Sequence, residues 1–441
     1  MKINKCVDVL IGSAFGDEGK GKATDYLAVD YDVVCRYSGG SNAGHTIYRG
    51  SEKIVLHLVP SGVLSRKTLN IIGSGVVVDP IALVEELKVL EDLEIPISDR
   101  LILSQRSHLT LPTHKYLDLA SETLRGSSKI GTTGRGICPT HMDRVGRNGL
   151  RFCDIFSPDF ELKYRSLKMK HIEIITQFNP SYSAMYSNLL KEVVGHDSTH
   201  KLAEMDEKFL ESIQYLKKFH ITNTESLLHE LIGQGKKILA EGAQGTGLDI
   251  DWGTYPYVTS SNSGVAGAIA GLGIPPTCIS DVIAVSKSYT TRVGSGPLVT
   301  TIEDDLQEKL VRIGNEYGAT TGRVRKCGWL DLPLIKYSCQ LNGTTKIFLT
   351  KLDVLQELGT IRVCTGYMRE GVVLEDYPVN LTDVSPIYRD FESPDQDLSS
   401  IKTLDDLPVE IRDFIHFIEE YLDVPVSWIS VGKDNSQTIK A

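Results

Sequence analysis

The stretch Val7–Lys22, VDVLIGSAFGDEGKGK, constrains this chain more than any other. An apolar, β-branched run stops at Gly12. Gly16, Gly19 and Gly21 then alternate with Asp17, Glu18, Lys20 and Lys22, and ATDYLA reads as the opening of a helix. A strand, a glycine-rich turn and a helix N-terminus together make an anion site, because bare backbone N–H groups and the helix dipole both favour phosphate. Gly16, four residues, then Gly21-Lys22 satisfy the P-loop pattern G-x-x-x-x-G-K, but Ala23 stands where Ser or Thr should ligate magnesium. A metal here needs another ligand, and Asp17 is the nearest candidate. Two carboxylates inside such a loop suggest chemistry rather than simple holding.

A chain of 441 residues has room for one large α/β domain or for several average ones. A net charge of −10 argues against a general nucleic-acid binder and against an anionic membrane surface. The eight cysteines have no C-x-x-C spacing, which disfavours zinc and a disulfide framework and fits a reduced, cytoplasmic protein. The N-terminal apolar run is too short for a signal peptide, and no run reaches the ~18 apolar residues of a membrane span.

Short buried-type strands alternate with helical segments, which predicts an α/β fold with a mostly parallel sheet. The strand candidates are Tyr31–Tyr37, Leu69–Ile72, Leu101–Leu103, Lys237–Ala240, Val282–Ser286, Lys346–Leu349, Thr360–Cys364 and Val426–Val431. Helices are expected at Pro80–Leu93 and Val409–Leu422, with a helical excursion over about 155–235 that includes Leu202–Phe219 and Glu225–Leu231. The polar, proline-containing segment Leu374–Ser400 reads as surface loops. No composition break marks a boundary, so 1–441 is expected to form one domain.

The conspicuous polar stretches follow strands, where ligands sit in open α/β sheets. Ser38–His45, SGGSNAGH, follows the second strand, and His45 in a polar glycine-rich loop would suit acid–base work beside Asp17. Gly131–Gly136, GTTGRG, with Arg144, Arg147 and Arg151, offers hydroxyls, amides and guanidinium groups for a phosphate. Glu241–Thr246, EGAQGT, and Gly253–Asn262, GTYPYVTSSN, supply neutral hydrogen-bonding groups suited to ribose or phosphate. Gly318–Lys326, GATTGRVRK, gathers three cations that repel one another unless an anion joins them. Thr350–Asp353, TKLD, places a carboxylate after a strand, where it can accept from both N1–H and the 2-amino group of guanine.

In this order and near this spacing, GDEGKGK, NAGH, IGTTGRGI, EGAQGT, DIDWGTYPYVTSSN, TTGR and TKLDVL resemble the adenylosuccinate synthetase family from about Val7 to Val431. The resemblance implies a large, mostly parallel sheet flanked by helices in a P-loop-like GTP-binding ligase fold. It also implies a ligase that joins L-aspartate to IMP with GTP and Mg2+, through a 6-phosphoryl-IMP intermediate. By motif position, Asp17 would take the N1 proton, and His45 would act on the transferring phosphoryl group as a general acid. Asp17 and the Gly44 carbonyl would hold magnesium. Gly16, Glu18, Gly19, Lys20, Gly21, Lys22, Gly44, Arg325, Lys351, Leu352, Asp353, Ser430, Val431 and Gly432 fall on GTP positions. Asp17, Lys20, Asn42, His45, Thr133, Arg147, Gln244, Thr259 and Arg323 fall on IMP positions, and Ala319, Thr320, Thr321, Gly322 and Arg323 on aspartate positions. Arg147 would reach the other subunit's IMP, which implies a homodimer; no nucleic acid or membrane partner is implied.

The chain departs from the family pattern at GSAFGDEG, at Ser38, at Trp252, in the C-terminal SVGKDN and near Glu392–Asp397. These departures motivate an alternative with the same chemistry on a 2-aminopurine nucleotide such as dGMP, or with ATP as donor. A more remote alternative is a non-catalytic GTP-binding regulatory module. Such a module would need Ser or Thr after Gly21-Lys22, and it would need neither His45 nor the TTGR loop.

Overall fold

The computed structural model describes residues 4–50, 52–177, 198–318, 322–356 and 358–441. Its spine is a ten-stranded sheet. In spatial order the strands are Thr438–Lys440, Val426–Ser430, Lys346–Thr350, Ile279–Lys287, Val7–Gly12, Ile238–Glu241, Val33–Arg36, Leu69–Ile72, Leu101–Ser104 and His220–Thr222. Every adjacent pair is parallel except the first, where Thr438–Lys440 runs antiparallel to Val426–Ser430.

The opening strand lies near the middle, and its residues alternate between two apolar layers. Val7, Val9 and Ile11 face a cluster with Leu228, Ile232, Ala268 and Leu272, from the helices Thr224–Gly233 and Val265–Leu272. Leu10 faces the other layer with Ala23 and Leu27 of the helix Lys20–Leu27. Helices covering both faces explain why the strands read as continuous apolar runs. The helix Pro80–Asp92 starts as its sequence predicts: the Asp79 carboxylate accepts from the N–H groups of Ile81 and Ala82, and Pro80 takes the first turn.

Three expectations need correction. Thr360–Cys364 is part of a longer strand, Thr360–Arg369, and belongs to a separate four-stranded sheet rather than to the central one. The segment Leu374–Ser400 is not all loop: Ser385–Glu392 pairs antiparallel with that strand. Most of its residues are half-buried or exposed, so it carries no apolar run, and Pro386 weakened the strand reading further. The excursion over 155–235 contains the helices Phe160–Gln177, Ser198–Leu216 and Thr224–Gly233, but also the strand His220–Thr222, which extends the central sheet. Among the described residues, no helix is long and apolar enough to cross a membrane.

Because the strands are parallel, their C-terminal ends share one edge. The loops after Gly12, Arg36, Glu241, Lys287, Thr350 and Ser430 therefore crowd together, and a deep cleft opens between them.

Candidate active site

The glycine-rich loop turns through left-handed backbone at Gly16, Asp17 and Gly19 before the helix Lys20–Leu27. A side chain at Gly12 would collide with the Gln244 carbonyl oxygen at 2.5 Å and with Lys20 Nζ at 2.7 Å. Glu18 points inward: Oε1 accepts from the N–H groups of Ala14 (3.1 Å) and Gly16 (2.8 Å), and Oε2 pairs with Lys20 Nζ at 2.5 Å. Its side chain is spent on holding the loop, so only the Glu18 backbone is left for a phosphate.

Asp17 and His45 both line the cleft, and each is held from behind by an opposite partner. Asp17 Oδ2 accepts from Arg325 Nε at 2.8 Å, and Oδ1 has no partner among the described residues. Arg325 continues to Glu316 Oε2 at 2.6 Å, and the fully buried Glu316 also receives Lys287 Nζ at 2.9 and 3.0 Å and the Tyr289 hydroxyl. Burial works against the Glu316 charge, but Lys287, Lys351 and Arg325 outweigh it and bring the carboxyl down to about 2.

His45 opens a two-stranded hairpin, His45–Arg49 with Glu52–Leu56. Its Nδ1 lies 2.5 Å from Glu241 Oε1, and Ser61 donates to the same carboxylate from Oγ (2.5 Å) and from its backbone N–H (2.8 Å). Burial, then the nearby Arg36 guanidinium, push the imidazole below its usual value against the pull of Glu241. Burial also opposes the Glu241 charge, yet His45, Arg36 and Ser61 keep that carboxyl below its usual range. A carboxylate at this distance requires the Nδ1 proton, so Nε2 is the atom left for a ligand. Arg36 is wholly buried and its guanidinium has no hydrogen-bond partner among the described residues, so its influence on the pair is through charge.

Of the other expected positions, Gly16, Gly19, Lys20, Gly21, Lys22, Asn42, Gly44, Thr133, Gln244, Thr259, Arg323, Arg325 and Lys351 line the same cleft. Gln244 Oε1 is buried with no partner among the described residues, as a group awaiting a ligand would be. Arg323 donates to the Gly131 carbonyl from both terminal nitrogens at 3.1 Å, which joins the TTGR loop to the GTTGRG loop. Gly322 is described at its edge with left-handed backbone, whereas Ala319, Thr320 and Thr321 lie outside the described residues.

Arg147 is exposed and stands outside the cleft of its own chain. Leu352 and Val431 are buried in an apolar cluster, so only their backbone can face a ligand. Ser430 and Gly432 sit behind Lys22, whose Nζ donates to Ser430 Oγ at 2.6 Å and to the Gly432 carbonyl at 2.7 Å. Asp353 Oδ1 is buried without a partner among the described residues, and burial raises that carboxyl.

Sequence reasoning missed Glu241 as the partner of His45, and it missed Glu316, Lys287 and Arg292. Buried Arg292 lies 4.2 Å from the Phe15 ring and donates at 2.8 Å each to the Pro297 carbonyl, Thr254 Oγ1 and the Tyr257 carbonyl. It pins the loop Gly253–Asn262 beneath the cleft, and nothing in the short TTR strand marked it.

Two places gather metal-ligating groups. Asp17 Oδ1 and the Gly44 carbonyl are hard oxygen donors on one cleft, and one carboxylate completed by ligand phosphates is the usual magnesium set, so these residues fit. The buried trio His114, Asp143 and His171 has ligand atoms within 4.8 Å of one another. Its protons are already committed: His114 Nδ1 accepts from the Leu111 N–H, and Nε2 of both rings meets Asp143 Oδ2 at 2.9 and 2.6 Å. Each ring therefore donates from the nitrogen a metal would need, and the trio ties the helices Pro112–Leu124, Ile137–Val145 and Phe160–Gln177 together.

The profile of the adenylosuccinate synthetase family matches residues 9–439. An adenylosuccinate synthetase from Flavobacterium johnsoniae is 45% identical over 98% of this chain and 99% of its own length. The fully ligated adenylosuccinate synthetase of Plasmodium falciparum superposes with a TM-score of 0.88 at 35% identity, covering 99% of this chain and 100% of that one. The cyanophage S-2L succinoaminodeoxyadenylate synthetase, solved with dGMP and dATP, superposes with a TM-score of 0.60 at 17% identity over 99% of this chain and 95% of that one, a likeness of fold alone.

Proposed function

The chain belongs to the adenylosuccinate synthetase family, GTP-dependent ligases that join L-aspartate to IMP, and we propose that Asp17 and His45 carry this chemistry here. The observation that carries the assignment is their pairing across one cleft, each held by a buried opposite partner, Arg325 and Glu241.

In this reading the Asp17 carboxylate takes the N1 proton of IMP. The 6-oxygen then attacks the γ-phosphorus of GTP, and GDP leaves. The amine of L-aspartate displaces phosphate from C6. His45 presents Nε2 to the phosphoryl oxygens, and a proton there offsets their charge. The amides from Gly16 to Lys22 and the Lys20 ammonium hold the phosphates, since phosphoryl transfer depends on positioning and charge neutralisation. Asp17 Oδ1 and the Gly44 carbonyl would hold Mg2+, which supplies further charge neutralisation when bound.

Asn42, Thr133, Gln244, Thr259 and Arg323 take the purine nucleotide, and the unpartnered Gln244 Oε1 supports that role. L-Aspartate is assigned to Ala319–Arg323, and the guanine base to Lys351, Asp353 and the 430–432 segment. Arg147, exposed and outside its own cleft, reaches the IMP of a second copy, which makes the working unit a homodimer. The eight unpaired thiols suit a cytoplasmic enzyme of one domain over 1–441.

The testing experiment is a turnover matrix of IMP and dGMP, each with GTP and with ATP, in the presence of L-aspartate. IMP with GTP is expected to be fastest; a higher rate with dGMP would overturn the assignment.

A further inference from the structure

Lys22 has a task that phosphate binding does not explain. Its ammonium is buried and turned away from the loop before it, towards the far end of the chain, where Nζ donates to Ser430 Oγ (2.6 Å) and to the carbonyls of Gly432 (2.7 Å) and Gln437 (3.4 Å). Ser430 Oγ donates in turn to the same Gly432 carbonyl at 2.9 Å. That carbonyl is thus held from two sides, against the helix Lys20–Leu27.

A trans peptide is planar, and its C=O and N–H point in opposite directions. With the Gly432 carbonyl drawn to Lys22, the N–H of the same peptide, which belongs to Lys433, points the other way. Lys433 lines the cleft, and its amide N–H has no partner among the described residues. Asp353, close enough to Lys22 for its charge to act there, has a buried Oδ1 with no partner among the described residues. Together the two groups offer a donor and an anionic acceptor. Guanine matches with its O6 acceptor and N1–H donor. Adenine presents an amino group and a bare ring nitrogen at the same places, and opposes both.

Resting on the guanine site proposed above, we infer that Lys22 is a positioning residue that sets the choice of GTP over ATP, by fixing the orientation of the Gly432–Lys433 peptide. Without its ammonium the peptide can turn over and present the carbonyl to the base, an acceptor that suits the adenine amino group. The neighbouring loop is braced independently: Asp25 accepts from Asn435, and the Gly50 N–H donates to Asp434 Oδ2 at 3.0 Å. Loss of Lys22 should therefore change the peptide rather than the whole loop.

The test compares kcat/KM for GTP and for ATP in the unsubstituted chain and in Lys22→Met, with GDP and ADP affinities measured by calorimetry. The GTP-to-ATP ratio is expected to fall by roughly tenfold or more, the scale of one hydrogen bond from a charged donor. The KM values for IMP and L-aspartate should hold. An equal loss for both nucleotides would make Lys22 a phosphate contact and overturn the inference. If Lys22→Met does not fold, Ser430→Ala removes the second hold on the carbonyl, and an unchanged ratio there also overturns it. An unsubstituted chain with no preference for GTP would instead sink the guanine-site reading itself.

Discussion

Replacing Glu241 by Gln isolates what a single buried charge does for His45. Gln keeps the shape and leaves one oxygen for Ser61, whose Oγ now donates to Oε1 at 2.5 Å and whose N–H donates to Oε2 at 2.8 Å. What it removes is the anion 2.5 Å from His45 Nδ1. A hydrogen bond to a charged group contributes about 1.5–3 kcal/mol, and each 1.36 kcal/mol is a factor of ten, so kcat should fall roughly 10- to 150-fold if the contact strengthens as His45 takes on charge. The pH profile should also move. Glu241 raises the affinity of His45 for its second proton, opposing burial and Arg36. Without it, the fall in kcat that accompanies loss of that proton should come at lower pH. Steady-state phosphate release across pH, with a calorimetric Tm to confirm folding, reads both effects. A Gln variant within twofold of the parent, with an unmoved profile, would refute the role given to this pair.

Asp17→Ala should abolish turnover with little change in Tm, because the carboxylate stands in a loop lining the cleft rather than in the core; a fully active variant would remove the base assignment. Arg147→Leu should raise the KM for IMP, and mixing it with Asp17→Ala chains should restore part of the activity if sites are shared between copies; absence of rescue counts against sharing. Glu316→Leu should destabilise by about 3–5 kcal/mol, since it strands Lys287 and Arg325 in a buried site, and urea unfolding at neutral pH measures this. Because folding lowers the Glu316 carboxyl to about 2, its stabilisation is full above the ordinary carboxylate value and is lost as pH falls towards about 2, so parent and variant should converge in acid.

The phosphate loop was legible because its signal is local: an apolar run, spaced glycines and a helix start lie within Val7–Lys22. The inner strands of the central sheet were legible for the same reason, as both faces are covered, whereas the short edge strands His220–Thr222 and Thr438–Lys440 were not. The partners that set the chemistry were not. Glu241 meets His45 across 196 positions, and Arg325 meets Asp17 across 308, so no window of sequence holds both members of either pair. Glu18 misled in the opposite way. Two carboxylates in the loop suggested chemistry from both, while the Glu18 side chain is consumed by the loop's own N–H groups. Ser385–Glu392 escaped because a strand with a solvated face carries no apolar run.

The bond from Lys22 to Ser430 joins positions 408 apart. A ribosome making this chain therefore completes the phosphate loop early and its lysine partner almost last. Until then Lys22 has no burial site, and for the first half of synthesis the central strand also lacks its neighbours Ile238–Glu241 and Ile279–Lys287. Contacts this distant are slow to close, and they leave sheet edges open meanwhile. The emerging chain should lean on chaperones in its early length, and fragments ending before the final strands should not bind guanine nucleotide.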